Sequence, residues 1–87
     1  MNTNLSRLEQ CIRTAINLRL KYIGVLVSVN GNEELIINKA KNFESKLDYY
    51  RNSYNEDLTL KANKSIKIVD FKYHDSLNII AHMMEHR

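Results

Sequence analysis

A single cysteine, Cys11, excludes any intrachain disulfide, so packing alone has to hold the fold. It falls beside the apolar stripe of the first predicted helix. Its expected role is a small buried or half-buried hydrophobe, because neither a helix N-terminus nor a neighbouring cation is placed to stabilise a thiolate. Only two glycines occur, Gly24 and Gly31, and they cannot build a phosphate-cradling loop. No G-x-S-x-G nucleophile elbow is present, and the carboxylates are scattered over predicted solvent faces rather than paired. Apolar runs are only a few residues long, far short of the roughly 20 needed to span a bilayer. The opening MNTNLSRLEQ lacks the apolar core of a signal peptide, so a cytoplasmic location is expected. With 87 residues the chain reads as one domain with a thin core, for which dimerisation would be a natural supplement. These absences argue against an enzyme and imply no cofactor.

Charge is nearly balanced. Thirteen Lys and Arg stand against ten Asp and Glu, a net +3, but the distribution is uneven. Arg7, Arg13, Arg19 and Lys21 face only Glu9 in the N-terminal stretch, and Lys61, Lys64, Lys67 and Lys72 face only Asp70. Between them, the region from Glu33 to Asp57 is net acidic. Two basic segments allow contact with nucleic acid, with the four lysines as candidate ligands of phosphate. A solvated surface accounts for the same charges.

The clearest element is the stretch Asn42 to Leu58, NFESKLDYYRNSYNEDL. Phe43, Leu47, Tyr50 and Tyr54 recur at spacings of four, three and four and so share one stripe of a helix. Asn42 is its candidate N-cap and Asn55-Glu56-Asp57 its stop, before the β-favouring Leu58-Thr59-Leu60. An earlier helix is expected from Asn4 to about Leu20, with Leu5, Leu8, Ile12, Ala15 and Ile16 inward. Its caps are Thr3, Asn4 or the Ser6-to-Glu9 capping-box pattern.

Lys21 to Val29 reads as a strand. Ile23, Val25, Val27 and Val29 form an apolar face, and Tyr22, Gly24, Leu26 and Ser28 a mixed one. Asn30-Gly31 predicts a tight hairpin into a return strand, Glu33 to Asn38, because both residues tolerate positive φ. The competing expectation, one longer helix over EELIINKAKNF, is less consistent with that turn. Ser65 to Tyr73 is the third strand. Its alternation breaks, with Ile66 and Ile68 in one phase and Val69, Phe71 and Tyr73 in the other, and a bulge near Ile68 and Val69 would reconcile them. Lys67 and Lys72 suit an edge strand. The last helix starts at Asp75 or Ser76, with Leu77, Ile80, Ala81 and Met84 as its main stripe. The expectation is an α+β domain of order α-β-β-α-β-α, with three helices on the apolar face of a three-stranded, mostly antiparallel sheet.

Four residues stand out as candidate partner contacts. Tyr49 falls off the stripe of its helix, where a tyrosine offers large contact area and a polar tip. Arg19 falls on the apolar side in the last turn of the first helix, as a snorkelling cation or an anion or partner contact. Ile79 and Met83 form a second apolar stripe on the last helix, which a second copy, a target protein or the first helix would cover. His82, Glu85 and His86 match the H-x-x-E-H pattern in which two histidines four apart share a metal. The motif has no third ligand or cleft in view, and a solvated polar helix face is the plain expectation, so no metal site is assigned.

The succession LVSVNGNEELIIN, NFESKLDYYRNSYNEDL and IKIVDFKYHDS resembles a group of small phage and prophage proteins of Gram-positive bacteria. The resemblance spans about Lys21 to Ser76 and carries no catalytic motif. The wealth of Asn, Lys and Ile, with no proline or tryptophan, matches the coding bias of an AT-rich genome. What the resemblance implies is a small accessory protein of a mobile element that binds and blocks a host protein, including defence systems such as CRISPR nucleases.

Overall fold

The computed structural model of this chain describes residues 3–85, with the backbone alone for 83–85. The order is α1 (Asn4–Asn17), β1 (Tyr22–Val29), β2 (Asn32–Lys39), a 3-10 turn (Ala40–Asn42), α2 (Phe43–Ser53), β3 (Thr59–Leu60), β4 (Asn63–His74) and α3 (Leu77–Glu85). The fold is α+β with three helices. The sheet has four strands rather than the expected three, in spatial order β2-β1-β4-β3, and every neighbouring pair is antiparallel. The added strand, β3, lies in the Leu58-Thr59-Leu60 stretch. At two residues it is too short to show any alternation in the sequence.

The strand pairings explain the faces. Asn30 (φ 53°) and Gly31 (φ 89°) form the two-residue turn, and Val29 pairs with Asn32. β4 pairs Phe71 with Val25 and Asp70 with Leu26, then Ile68 with Val27, so Val69 is an extra, bulged residue. The bulge brings Ile66, Ile68, Phe71 and Tyr73 onto one face, as the broken alternation predicts. That face meets α1 and α2. Leu8, Ile12 and Ala15 of α1, Phe43 and Tyr50 of α2, and Tyr54 and Leu58 beyond it pack with Ile23, Val25, Val27 and Ile68 into the main core.

The third helix corrects the expectation that all helices share one face. Ile80 of α3 packs on Leu26, with Tyr22, Leu35 and Ile37 around it, on the opposite side of the sheet. The mixed face of β1 is apolar enough to hold a helix once β2 contributes Leu35 and Ile37 beside Leu26.

Thr3 caps α1 as one of the expected candidates, whereas the other ends of α1 and α2 differ from expectation for local reasons. Thr3 is the cap of α1: its hydroxyl accepts from the Ser6 N–H at 3.0 Å, and the Ser6 hydroxyl accepts from the Thr3 N–H at 2.9 Å. α1 stops at Asn17. The Arg19 and Leu20 N–H groups donate back to Ile16 and Ala15 carbonyls at 3.1 and 2.9 Å, a Schellman closure that requires Arg19 in the left-handed region at φ 56°. Asn42 makes no side-chain cap; instead the Ser45 hydroxyl donates to the Asn42 carbonyl at 3.0 Å. α2 ends at Ser53, and Tyr54 leaves it in extended backbone to bridge Leu60. Asp57 forms the following turn, its Oδ1 accepting from the Thr59 N–H at 3.0 Å and hydroxyl at 2.6 Å. Leu58 then takes φ 68° and still points into the core.

Candidate functional site

α3 leaves two large apolar side chains at the surface. Ile80 is fully buried, whereas Leu77 is 45% and Ile79 37% exposed. Leu77 was expected inward with Ile80; of the described side chains of that stripe, only Ile80 reaches the sheet deeply. Ile79 is outward, as expected, and the α1 side of the sheet is too far round to cover it. The Met83 side chain, and with it half of the predicted second stripe, lies outside the described residues, as does the Met84 side chain. Ser76 precedes the helix, its carbonyl accepting from the Ile80 N–H at 3.3 Å. The Asp75 carboxylate instead accepts from the Lys21 N–H at 3.0 Å and so fastens the end of β4 to the start of β1.

Tyr49 is 45% exposed on α2, but it is not a free aromatic. Its ring meets Tyr50 edge-on at 5.3 Å and Tyr54 at 6.2 Å between centroids, and the Lys46 ammonium lies 5.0 Å from its centre. Inside this cluster the Asn38 amide donates to the Tyr50 hydroxyl at 3.0 Å, both residues being buried. Burial pushes the Tyr50 phenol up, and pushes Tyr54 up to about 12. Asn38 was expected to end the return strand, with no contact assigned to its side chain. Its inward position in β2 signals the role: the alternation puts it on the same face as Ile36 and beside Ile23.

Arg19 does not lie on the helical stripe. It is exposed at the C-terminal closure of α1, on the rim of an open cleft of about 330 Å³ with Ile16, Leu20, Lys41, Phe43 and Glu44. α2 is held to α1 by an ion pair, the Arg51 Nε donating to the Glu9 carboxylate at 2.9 Å.

Tyr49 and Arg19 belong to the side of α1 and α2, and Ile79 to the side of α3. The sheet separates them, so they are not one surface. The four lysines are exposed. Lys61 and Lys64 flank the β3–β4 turn, and the bulge at Val69 brings Lys67 and Lys72 to the same face, opposite Ser28 and Gly24. The β4 strand is interior where β3 pairs with it and becomes an edge only beyond Lys67, so only Lys72 has the expected edge position. The aromatic platform of an RNA-binding sheet is not assembled: Tyr22 lies on the α3 side, and Phe71 and Tyr73 on the other.

Chemistry finds little purchase. Cys11 is half-buried, and burial pushes its thiol up to about 11, away from a reactive thiolate. Among the described residues no group of His, Cys, Asp and Glu is arranged to hold a metal ion. Of the H-x-x-E-H pattern, His82 falls on α3, whereas the Glu85 side chain and His86 lie outside the described residues. No described helix is long and apolar enough to cross a membrane. Comparison of the chain with family models, curated proteins and solved structures gives no match.

Proposed function

We propose that this chain is a non-enzymatic protein-binding module, an accessory protein of a phage or prophage that inhibits or modulates a host factor, with components of host defence systems such as CRISPR nucleases among the targets that the resemblance implies. The observation that carries the reading is that α3, among its described side chains, commits only Ile80 deeply to its own sheet and leaves Leu77 and Ile79 at the surface on its two flanks. The resemblance to small phage proteins supplies the biological setting. The contact surface proposed is α3; Tyr49 and Arg19 lie elsewhere and are secondary.

The test is capture from a Gram-positive host lysate by the tagged protein, identification by mass spectrometry, and reconstitution with the purified target. Capture should be lost in Leu77→Asp and Ile79→Asp and retained in Tyr49→Ala. Equal capture by all three variants removes α3 from the reading. The alternative, a nucleic-acid binder using Lys61, Lys64, Lys67 and Lys72, gains if DNA or RNA binds at low salt and is released steeply as salt rises.

A further inference from the structure

The four-stranded sheet ends on two different edges. On one side β3 covers the first part of β4. Past it the edge is blunted by the Val69 bulge, and the Asp70 carboxylate accepts from the Phe71 N–H at 2.8 Å. On the other side β2 pairs with β1 over all of Asn32–Lys39 without a register break, and among the described residues no strand lies on its outer side. β2 has no proline and no bulge, and Ile36 at its centre is 41% exposed. A long, unbroken, partly apolar edge is a template for another strand.

The phase of the backbone fixes how that strand would pair. The two-residue turn makes Val29 and Asn32 a hydrogen-bonded pair, so alternate residues Asn32, Glu34, Ile36 and Asn38 direct their N–H and C=O groups to β1. The bond from the Ala40 N–H to the Lys21 carbonyl, 3.0 Å, continues the same phase. The backbone groups of Glu33, Leu35, Ile37 and Lys39 therefore point away from the sheet.

The geometry points to a second copy of this chain as the occupant, paired antiparallel through β2 about a two-fold axis at Ile36. In that register Glu33 lies opposite Lys39 of the second copy, and Leu35 opposite Ile37, each as a hydrogen-bonded pair made twice by symmetry. Ile36 meets its own copy, and Glu34 meets Asn38. Opposite charges across a ladder stabilise it, and like charges weaken it. Moving the axis to Leu35 sets Glu33 against Ile37, and moving it to Ile37 sets Leu35 against Lys39, so the self-complementarity selects the register at Ile36. The result is one sheet continuous through both copies. This interface uses β2 and not α3, and so stands or falls separately from the host-binding reading.

Sedimentation velocity on the full chain from about 1 µM to about 300 µM tests it. A concentration-dependent dimer is expected, weakened about tenfold or more by Glu33→Lys, by Lys39→Glu and by Ile36→Lys, and restored by combining Glu33→Lys with Lys39→Glu. Circular dichroism shows whether each variant is folded, and the charge-swapped double variant keeps the test independent of any single damaged fold. A strict monomer over the whole range overturns the proposal. So does a dimer that survives Ile36→Lys and Glu33→Lys but is lost in Ile79→Asp, which would place the interface on α3.

Discussion

The two faces of the sheet are built on different scales. The α1–α2 face buries side chains from both helices, two strands, Tyr54 and Leu58 into one continuous core. The α3 face buries Leu26 and Ile80, with a ring of half-buried neighbours. β1 lies at the middle of both, since Ile23, Val25 and Val27 point one way and Leu26 the other. A small domain has little apolar surface to distribute, and this one concentrates it on one face. The other face is held by fewer contacts, and its helix keeps Leu77 and Ile79 at the surface. The main core and the exposed apolar side chains of α3 thus lie on opposite sides of one sheet.

The largest expected effect separates the two faces. Ile12→Ala on the helical face should cost about 3–5 kcal/mol, and Ile80→Ala about 2 kcal/mol, because the thinner site can close over the lost atoms. Against a total of roughly 5–10 kcal/mol, the first change threatens the whole fold. Urea unfolding gives both values. Hydrogen exchange adds the distinction that matters: Ile80→Ala should loosen α3 and leave the amides of β1 and β4 protected. Equal costs for the two variants would mean that the faces form one cooperative core.

Next comes the polar contact inside the helical face. Tyr50→Phe removes the acceptor of the Asn38 amide and strands a buried donor, at about 1–3 kcal/mol. Asn38→Leu combined with Tyr50→Phe should recover much of that loss, since a buried pair replaced together leaves nothing unsatisfied. A double-mutant cycle with no coupling would show that the 3.0 Å contact does not hold α2 to β2.

Alkaline pH should also act through the helical face. Burial pushes Tyr54 up from 10.0 to about 12 and Cys11 up from 9.0 to about 11. Both groups are uncharged when protonated, and the unfolded chain releases these protons at lower pH than the folded one. Their contribution is therefore intact below about pH 9, falls as pH rises, and is gone once Cys11 has passed about 11 and Tyr54 about 12. Melting temperatures across this range check the slope, and Tyr54→Phe with Cys11→Ala should flatten it. An unchanged slope in that double variant would assign the alkaline loss to other groups.

How much of this was legible in the sequence depends on whether local chemistry or tertiary contact decides the position. The Asn30-Gly31 turn, the α2 stripe and the bulge at Val69 are decided locally, by positive φ, helical spacing and a break in alternation, and each is found where expected. Leu58 falls beyond the helix, as the expected stop at Asn55-Glu56-Asp57 implies, but the path of Tyr54 was not legible: it is buried, as its spacing suggests, yet outside the helix, where it bridges Leu60 once Asp57 bonds Thr59 and turns the chain into β3. The placement of α3 was not legible either: Leu26 alone does not mark a helix-binding face, and only the pairing of β1 with β2 brings Leu35 and Ile37 beside it. Of the candidate partner residues, the outward position of Ile79 follows from its spacing against Ile80. Tyr49 is off the stripe as expected, but its ring contacts with Tyr50 and Tyr54 depend on where Tyr54 goes after the helix ends.

The smallest expected effect has the opposite sign and concerns the end of α1. Arg19 occupies the position after the helix cap at φ 56°, where an L side chain pays a steric cost that glycine does not. Its N–H and that of Leu20 close the helix on Ile16 and Ala15, so the left-handed conformation is required by the closure rather than chosen by the arginine. Leu20 then packs against the main core, which keeps the chain in that path. Arg19→Gly should therefore stabilise the protein by about 0.5–1 kcal/mol, with part of the relief offset by the greater freedom of glycine in the unfolded chain. Arg19→Ala retains the strain and should give no gain. If glycine destabilises instead, the arginine side chain contributes more than its backbone costs, and the cleft it shares with Lys41 and Glu44 becomes the place to look for its contact.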